Sequence, residues 1–349
     1  MVLQLPLAEA MCRIEEDFRC AISAALHLQL LPDCEPTAEL IDYLEQVLSS
    51  NGKTTKDWRC VMKKRIGISY ETRRSGLVWL DDKVKQVEVV QEQLGLCHLP
   101  LLATSLDGAS TMKLVAQQQM ALNQPFVVKP RHGSNSKYVT MCRPEQVSEE
   151  LVFHSIDEAI AAEDLSWQKE SWNQNAVPKG AVLQPLYALM SDFLEEDIQD
   201  ARGKLQKPLE LKIQVIFGQV VGACLNTHPM YLWVTRDGTV IPWNPTMPGL
   251  LKKGHGFWEK LPEVIFQLLL RCLREFWPWM RQISEELAKN LDELRVDWLL
   301  GDDTWGCRIG EVTYMGTMAL DVFPISWRLA KTFAAGHLSR RRHGLVEPF

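Results

Sequence analysis

The stretch PFVVKPRHGSNSKY, residues 125–138, decides the fold that we expect. Its apolar and β-branched run at residues 126–128 predicts a buried strand that ends at Lys129. A basic pair and a small polar loop follow at residues 131–136. A buried ammonium needs an anionic partner, and consecutive N–H groups in a glycine-containing loop form a concavity that binds anions. The stretch is typical either of a phosphate-binding strand and loop or of a surface hairpin with a solvated lysine.

The composition indicates a globular protein with more than one lobe. A chain of 349 residues is too long for one small core, and its apolar content of 46% and charged content of 23% are ordinary. The formal net charge of −6 gives no electrostatic reason to expect binding to nucleic acid or to a membrane surface. We interpret the basic run at residues 340–343 as part of a solvated C-terminal tail, residues 331–349.

The nine cysteines are scattered and include no C-x-x-C pair. This distribution disfavours a zinc site and a disulfide scaffold, and it indicates a reducing compartment. The first residues lack a basic segment followed by a long apolar run, so we expect neither a signal peptide nor a membrane span. A cytoplasmic location is therefore the expectation.

The residue patterns predict an α+β fold with mixed or antiparallel sheets. Helices are expected within residues 8–31, 38–50, 55–80, 83–94, 111–123, 144–167 and 260–291. Strands are expected within residues 98–105, 126–129, 139–142 and 180–187, in hairpins at 208–227 and 294–315, and around a turn at 236–238. Thr37 is expected to cap the second helix, and Gly95 to close the helix that begins after Asp82. The polar residues 191–208 are expected to form an exposed insertion.

The last hairpin carries a second group of informative side chains. Because side chains alternate across a strand, Arg295 and Asp297 share one face, and Glu311 and Thr313 share one face of the next strand. Together they would form an oxygen cluster of the kind that Mg²⁺ prefers when it also binds nucleotide phosphates. An ion pair between Arg295 and Asp297, with Glu311 in solvent, explains the same pattern.

Glu210 and Lys212 show the same alternation on the earlier hairpin. An acid and a base on one face could bind a ribose and a phosphate. They could equally form a pair within the sheet. The pattern leaves both interpretations open.

These segments, in this order, resemble the ATP-grasp superfamily, and within it the branch associated with teichuronopeptide biosynthesis (TupA-like). The resemblance runs from about residue 82 to about residue 327 and rests on four segments: DDKVKQVEVVQEQLGLCHLPLLATS, PFVVKPRHGSNS, PLELKIQVIFGQV and RVDWLLGDDTWGCRIGEVTYMG. It implies an ATP-grasp fold of two α+β lobes that grip a nucleotide. The implied domains are an N-terminal helical region at 1–80, a first lobe at 81–187, a second lobe at 188–330 and the tail.

The resemblance also implies a role for each matching residue. The nucleotide would be held by Lys83, Lys129, Gly133, Ser134, Ser136, Gln184, Tyr187, Glu210 and Lys212. The metal ligands would be Asp297, Glu311 and Thr313, and the catalytic cations Arg295 and Lys129. Two departures stand out: Thr313 where many relatives have asparagine, and Gln184 where an acid is common at the start of the hinge.

The implied activity is that of an ATP-dependent, ADP-forming carboxylate–amine ligase that uses Mg²⁺ and an acyl phosphate. Its substrates would be a small carboxylate and an amine, in this branch an acidic sugar or amino acid used in polysaccharide biosynthesis. Cations between the two hairpins are candidates for the substrate site: His228, Arg236 and His255. Two alternatives remain, a small-molecule kinase on the same scaffold and a nucleotide-binding protein without turnover.

Overall fold

A computed structural model of the chain describes residues 7–50, 58–72, 76–133, 137–163, 176–187, 209–225, 232–242, 263–302, 304–315 and 325–344. The expected insertion at 191–208 lies outside these residues, as do Ser134, Ser136, His228 and His255. Helices and two antiparallel sheets make up the described chain, so the α+β class is confirmed. Within the described residues, no helix combines the length and the apolar composition needed to cross a bilayer.

Eight α-helices lie in the described residues, and most begin where the sequence predicts. Their bounds are α1 Leu7–Ala25, α2 Ala38–Ser49, α3 Trp58–Thr72, α4 Lys83–Leu94, α5 Ala109–Ala121, α6 Glu149–Ala161, α7 Glu263–Leu287 and α8 Ile325–Arg342. The Thr37 hydroxyl accepts a hydrogen bond from the Leu40 N–H at 3.3 Å and caps α2. The Asp82 carboxylate caps α4 in the same way, and Gly95 at φ 78° ends that helix.

The smaller sheet contains the opening stretch of the sequence analysis. Its strands are β1 Ala103–Thr104, β2 Phe126–Pro130, β3 Thr140–Cys142 and β4 Ala181–Pro185, in the order β1-β4-β2-β3. Helices α5 and α6 close one apolar core with it, around Phe126, Val128 and Leu183. The strand expected at residues 98–105 is shorter than predicted, because only Ala103 and Thr104 pair with β4.

The larger sheet is built from hairpins. Its strands are β5 Glu210–Ile216, β6 Gln219–Leu225, β7 Leu232–Val234, β8 Val240–Pro242, β9 Glu293–Asp302 and β10 Gly306–Thr313, in the order β10-β9-β5-β6-β7-β8. The β5–β6 turn has two residues, Phe217 at φ 49° and Gly218 at φ 71°. Two left-handed residues in a two-residue turn match the twist of the strands they join.

The N-terminal helices and the C-terminal helix complete the core of the larger sheet. Trp58 of α3 and Phe333 of α8 pack edge to face at 5.7 Å, and Phe217 stacks on Phe333 at 5.9 Å. Gly336 lies so close to Phe217 that a Cβ there would be 2.0 Å from the ring. Residues 7–49 and 58–72 therefore belong to the packing of the larger sheet, and do not form a separate unit beside it.

Residues 331–342 belong to α8, and the prediction that the basic run at 340–343 is solvated is wrong for Arg340, whereas residues 341–343 are exposed. Arg340 is only 3% exposed and donates to the carbonyls of Ala25 (2.9 Å) and Leu28. It also forms an ion pair with Glu35 at 2.7 Å. A basic run on a helix carries no sign of which side chains face inward, and here Arg340 faces the core.

Candidate functional site

Lys129 lies on strand β2, between the two sheets. The next strand in the smaller sheet, β4, supplies its neutral partner: the Lys129 ammonium donates to Gln184 Oε1 at 2.9 Å. The Gln184 amide in turn donates to the Leu99 carbonyl at 3.1 Å. Burial lowers the pKa of the Lys129 ammonium, and the nearby cation of Lys83 acts in the same direction against Glu311 and Glu210. The charged form would therefore gain from a further anion.

Lys83, the second lysine, is placed by the first turn of α4. The preceding Asp82 caps the helix and also receives two hydrogen bonds from the Arg131 guanidinium, at 2.8 and 2.5 Å. Both partners of this bidentate pair are buried. The Lys83 ammonium donates to the Gly133 carbonyl. Lys83 therefore lies beside the loop that follows β2.

A polar face on β5, β9 and β10 forms the other side of the site, and we call it the paired face. It consists of Glu210, Lys212, Arg295, Asp297, Glu311 and Thr313. Lys212 and Glu311 are each directly opposite Asp297 in the strand register. Arg295 donates to both oxygens of Asp297, at 2.7 and 2.9 Å, and to the Thr313 hydroxyl at 3.0 Å.

Charge is nearly compensated within the paired face. Lys212 donates to Asp297 and forms an ion pair with Glu210 at 2.9 Å. Burial alone would lower the pKa of the Lys212 ammonium, but Asp297 and Glu210 together more than offset it and the net shift is upward. Burial alone would raise the pKa of the Asp297 carboxyl, but Arg295 and Lys212 hold it below its usual range. The ion pairs that the sequence left open, Arg295–Asp297 and Glu210–Lys212, are both present.

The two sides of the site face each other. The Lys83 ammonium lies 3.9 Å from Glu311 Oε1, and the charges of Glu311 and Glu210 reach the Lys129 ammonium. The side chain of Glu311 is 38% exposed, whereas that of Asp297 is fully buried. Glu311 is thus the carboxylate that the paired face presents to solvent beside the lysines.

Gln184 and Tyr187, which the resemblance assigns to the hinge, lie where the smaller sheet meets the larger one. The Tyr187 hydroxyl donates to the Gly306 carbonyl at 2.6 Å, at the turn between β9 and β10. Leu99, Tyr187 and Leu299 form a small apolar cluster, with Trp305 packed against it. Leu99 also pairs with β10, because its N–H donates to the Ile309 carbonyl at 2.9 Å. Leu99 and Tyr187 therefore connect the smaller sheet to β10.

Two of the three side chains predicted to bind Mg²⁺ already accept hydrogen bonds from cations in this structure. Both oxygens of Asp297 accept from cations and the Thr313 hydroxyl accepts from Arg295, so Glu311 is the one predicted ligand that offers an open carboxylate. Among the described residues, no three His, Cys, Asp or Glu side chains cluster as a metal site would require. Mg²⁺ often binds through one or two carboxylates with phosphates and water as the other ligands. Glu311 fits such a mode, whereas Asp297 fits it only after losing its ion pairs.

Arg236 is placed away from this site. It lies in the turn between β7 and β8, at the far side of the larger sheet from β10. Its guanidinium pairs with Glu285 at 3.0 Å, and its N–H donates to Asp17 at 2.9 Å. Its role in substrate binding stays a prediction, as do the roles of Ser134, Ser136, His228 and His255 outside the described residues.

Two anchors of α4 were missed by sequence reasoning. The first is the Arg131–Asp82 pair, although both residues stood out, one in the basic pair after β2 and one at the helix start. The second is Gln86, whose amide bonds the backbone of Val312. A glutamine inside an amphipathic helix gives no sequence signal of such a contact.

No protein-family model matches the chain, and a sequence search of curated proteins finds no match. Similar solved structures include D-cycloserine synthetase DcsG, at 14% identity and TM-score 0.43 over 86% of this chain and 93% of that one. D-alanyl-alanine synthetase A from Vibrio cholerae matches at 13% identity and TM-score 0.41, over 76% of this chain and 65% of that one. A biotin carboxylase–ATP complex from Campylobacter jejuni matches at 13% identity and TM-score 0.41, over 78% of this chain and 52% of that one.

These neighbours are ATP-grasp enzymes, the superfamily that the sequence resembles. With identities this low and TM-scores of at most 0.43, the likenesses carry no argument about what this chain does.

Proposed function

We propose that the chain is an ATP-grasp enzyme, an ATP-dependent and ADP-forming carboxylate–amine ligase. One observation supports this above all others: Lys83 and Lys129 come from different elements and converge opposite the open carboxylate of Glu311. Lysines that share a partly buried site with few carboxylates favour a polyanionic ligand, and a nucleotide triphosphate with Mg²⁺ fits that charge. The apolar cluster around Leu99 and Tyr187 would receive the adenine.

In the proposed reaction, a carboxylate oxygen attacks the γ-phosphorus of ATP, and the bond to ADP breaks. The amine then attacks the acyl carbon, phosphate leaves with the bonding electrons, and the amine gives up a proton. Lys83 and Lys129 would neutralise the phosphates, and Arg295 would face the transferring group. Mg²⁺ would supply additional charge neutralisation, with Glu311 as its ligand. Glu210 and Lys212 would contact the ribose and a phosphate.

Nucleotide binding without turnover is the second candidate, and a specific observation favours it. Asp297, the expected second metal ligand, is held by Arg295 and Lys212 at both of its oxygens. A ligase that uses Asp297 for metal binding must first release it from these cations. A protein that only binds a nucleotide has no such requirement.

The finer parts of the proposal rest on the resemblance to the teichuronopeptide branch. They are an acidic sugar or amino acid as substrate, a place in polysaccharide biosynthesis, and substrate contacts by Arg236, His228 and His255. A cytoplasmic location is part of the same proposal and agrees with nine cysteines that are all free.

The test measures ADP release from Mg·ATP across panels of carboxylates and amines. A ligase releases ADP only when both substrates are present, and Glu311→Gln should abolish that release. Glu88→Gln is the matched control, because Glu88 lies on α4 and pairs with the exposed Lys85. ADP release with a single substrate and a stable phosphorylated product would instead indicate a kinase. Binding of Mg·ATP without ADP release would leave the second candidate, and no binding at all would refute the proposal.

A further inference from the structure

Gln86 makes three hydrogen bonds from a buried position on α4. Its Nε2 donates to the Leu80 carbonyl at 2.5 Å and to the Val312 carbonyl at 2.8 Å. Its Oε1 accepts from the Val312 N–H at 3.1 Å. The side chain is 2% exposed. A carboxamide can donate to and accept from the same backbone residue without carrying a charge.

Val312 is the residue between Glu311 and Thr313 on β10, which is the outermost described strand on its side of the larger sheet. The backbone groups of Val312 that Gln86 engages point away from β9. In a wider sheet, the next strand would pair with such groups. The Gln86 amide takes the place of that strand at one residue and attaches α4 to β10.

The same N-terminal part of α4 is also attached to the smaller sheet. Asp82 receives the two hydrogen bonds from Arg131, which directly follows β2, and the Lys83 N–H donates to the Arg131 carbonyl at 3.3 Å. Arg131 is further held by its own N–H, which donates to the Gly180 carbonyl at 2.7 Å. Lys83 thus lies on α4 between an anchor to the smaller sheet and an anchor to the larger sheet.

We propose that Gln86 is a positioning residue, and that with the Arg131–Asp82 pair it makes α4 a bracket that fixes the Lys83 ammonium opposite Glu311. A lysine side chain has many rotamers, so a defined position for its ammonium needs a fixed backbone. Gln86 lies one turn after Lys83 and bonds the neighbour of Glu311, so it sets the distance between the two. Only the expected effect of this bracket on nucleotide binding rests on the proposed function, because the attachment of α4 to both sheets is independent of it.

The first experiment needs no nucleotide. Amide hydrogen exchange of Val312, followed by NMR, should be slow in the wild type and in Gln93→Leu, and at least about tenfold faster in Gln86→Leu. Gln93 is the matched control, because it is an exposed glutamine on the same helix. Fast exchange at Val312 in the wild type, or equal exchange in both variants, would overturn the bracket.

The second experiment uses Gln86→Glu and the affinity for Mg·ATP as a function of pH. A protonated glutamic acid can donate to the Val312 carbonyl and accept from its N–H, whereas a carboxylate repels that carbonyl. We expect binding about 10–100-fold weaker than wild type at high pH, by analogy with other groups that orient a ligand-binding residue. Lowering the pH should restore it relative to wild type, and Gln93→Glu should show no such recovery.

The two experiments separate the two proposals. If the wild type does not bind Mg·ATP, the proposed function fails, and exchange at Val312 still decides whether Gln86 attaches α4 to β10. If exchange rises in Gln86→Leu while both Gln86 variants bind Mg·ATP like the wild type, Gln86 holds the fold and the positioning role is refuted. A thermal unfolding curve of each variant shows that it is folded before either measurement.

Discussion

Two ionic clusters lie along β9, one around Asp292 just before the strand and one around Asp297 within it, and they differ in how their charges are balanced. Around Asp292 lie Arg65, Tyr314 and His337, and we call this the closed cluster. Around Asp297 lie Arg295 and Lys212, which with Lys83, Lys129, Glu210 and Glu311 form what we call the open cluster. The closed cluster is built from α3, α8 and the residues that flank β9 and β10, whereas the open cluster is built from β2, α4, β5, β9 and β10, so the two differ in their setting as well as in their charges.

The closed cluster is neutral and sealed. The pair of Arg65 and Asp292, 2.5 Å apart, is shielded by the buried rings of Tyr314 and Phe333. Burial lowers the pKa of the His337 imidazole despite the nearby Asp292. Burial also raises the pKa of the neighbouring Glu293 carboxyl to about 8, so one arginine and one aspartate carry the charge at neutral pH.

The open cluster has more cations than carboxylates, because four basic side chains face Glu210, Asp297 and Glu311. Its surplus lies at Lys129, whose pKa is lowered by burial and whose hydrogen-bond partner Gln184 is a neutral amide. Removing one partner of a sealed and balanced ion pair destabilises the fold, whereas a surplus of cations at a partly exposed gap is suited to an anion. The two clusters therefore differ in burial and in charge balance, and we expect substitutions in them to affect different properties.

The largest effect is expected from Asp292→Asn. It removes the carboxylate of a fully buried pair and leaves the Arg65 guanidinium without its counterion, which costs about 3–5 kcal/mol of unfolding free energy. Urea unfolding measures this, with Asp42→Asn as control because Asp42 is exposed on α2. A loss no greater than that of the control would show that the closed cluster is not structural.

Lys129→Met should weaken nucleotide binding and leave stability almost unchanged. The affinity for Mg·ATP should fall by about 1.5–3 kcal/mol, the value of a hydrogen bond to a charged group, while the unfolding free energy stays within about 1 kcal/mol. Titration calorimetry and urea unfolding give the two quantities. The control is Lys113→Met, whose lysine pairs with the exposed Asp157 at 2.7 Å. Unchanged affinity would remove Lys129 from the site, and a large loss of stability would remove the distinction between the clusters.

Glu293→Gln tests the closed cluster through pH. Because burial raises the pKa of Glu293 from 4.5 to about 8, the folded state keeps a proton that the unfolded state releases in that window. Wild-type stability should therefore fall relative to Glu293→Gln as pH rises from 4.5 to about 8, with a slope of up to about 1.4 kcal/mol per pH unit. Urea unfolding of both proteins across this range gives the difference, and a flat difference would contradict the assignment.

The smallest effect is expected from Arg236→Gln. Its ion pair with Glu285 is partly exposed, so we expect a loss of about 1 kcal/mol or less in stability. The affinity for Mg·ATP should change by less than about twofold, within the scatter of distant substitutions. A marked loss of affinity would extend the open cluster across the larger sheet to the β7–β8 turn.

The sequence patterns predicted those features that depend on residues close together in the chain. The hairpin from β5 to β6, the cap at Thr37 and the end of α4 at Gly95 follow from alternation and from turn and cap preferences. The positions of Lys129 and of the last hairpin followed from the same rules, and so did the two ion pairs that were left open as alternatives.

Contacts between residues far apart in the chain could not be predicted in this way. The pairing of Arg65 with Asp292, and of Gln86 with Val312, depends on how α3 and α4 pack on the larger sheet, and neither helix pattern encodes it. The same reason explains the error at Arg340, because a run of basic residues is compatible with a solvated tail and with a helix that buries one member.

Gln86 and the backbone of residues 97–99 bond the outer edge of β10, and we call these contacts its cover. The cover has a consequence for association between chains. Gln86 bonds Val312, and the backbone of Cys97 and Leu99 bonds Ile309, so at these positions the outer edge of the sheet has no vacant donors or acceptors for a second copy. Loss of the cover would expose a template for strand addition and aggregation. Selection against self-association and selection for a well-placed Lys83 would then act on the same few atoms of one glutamine.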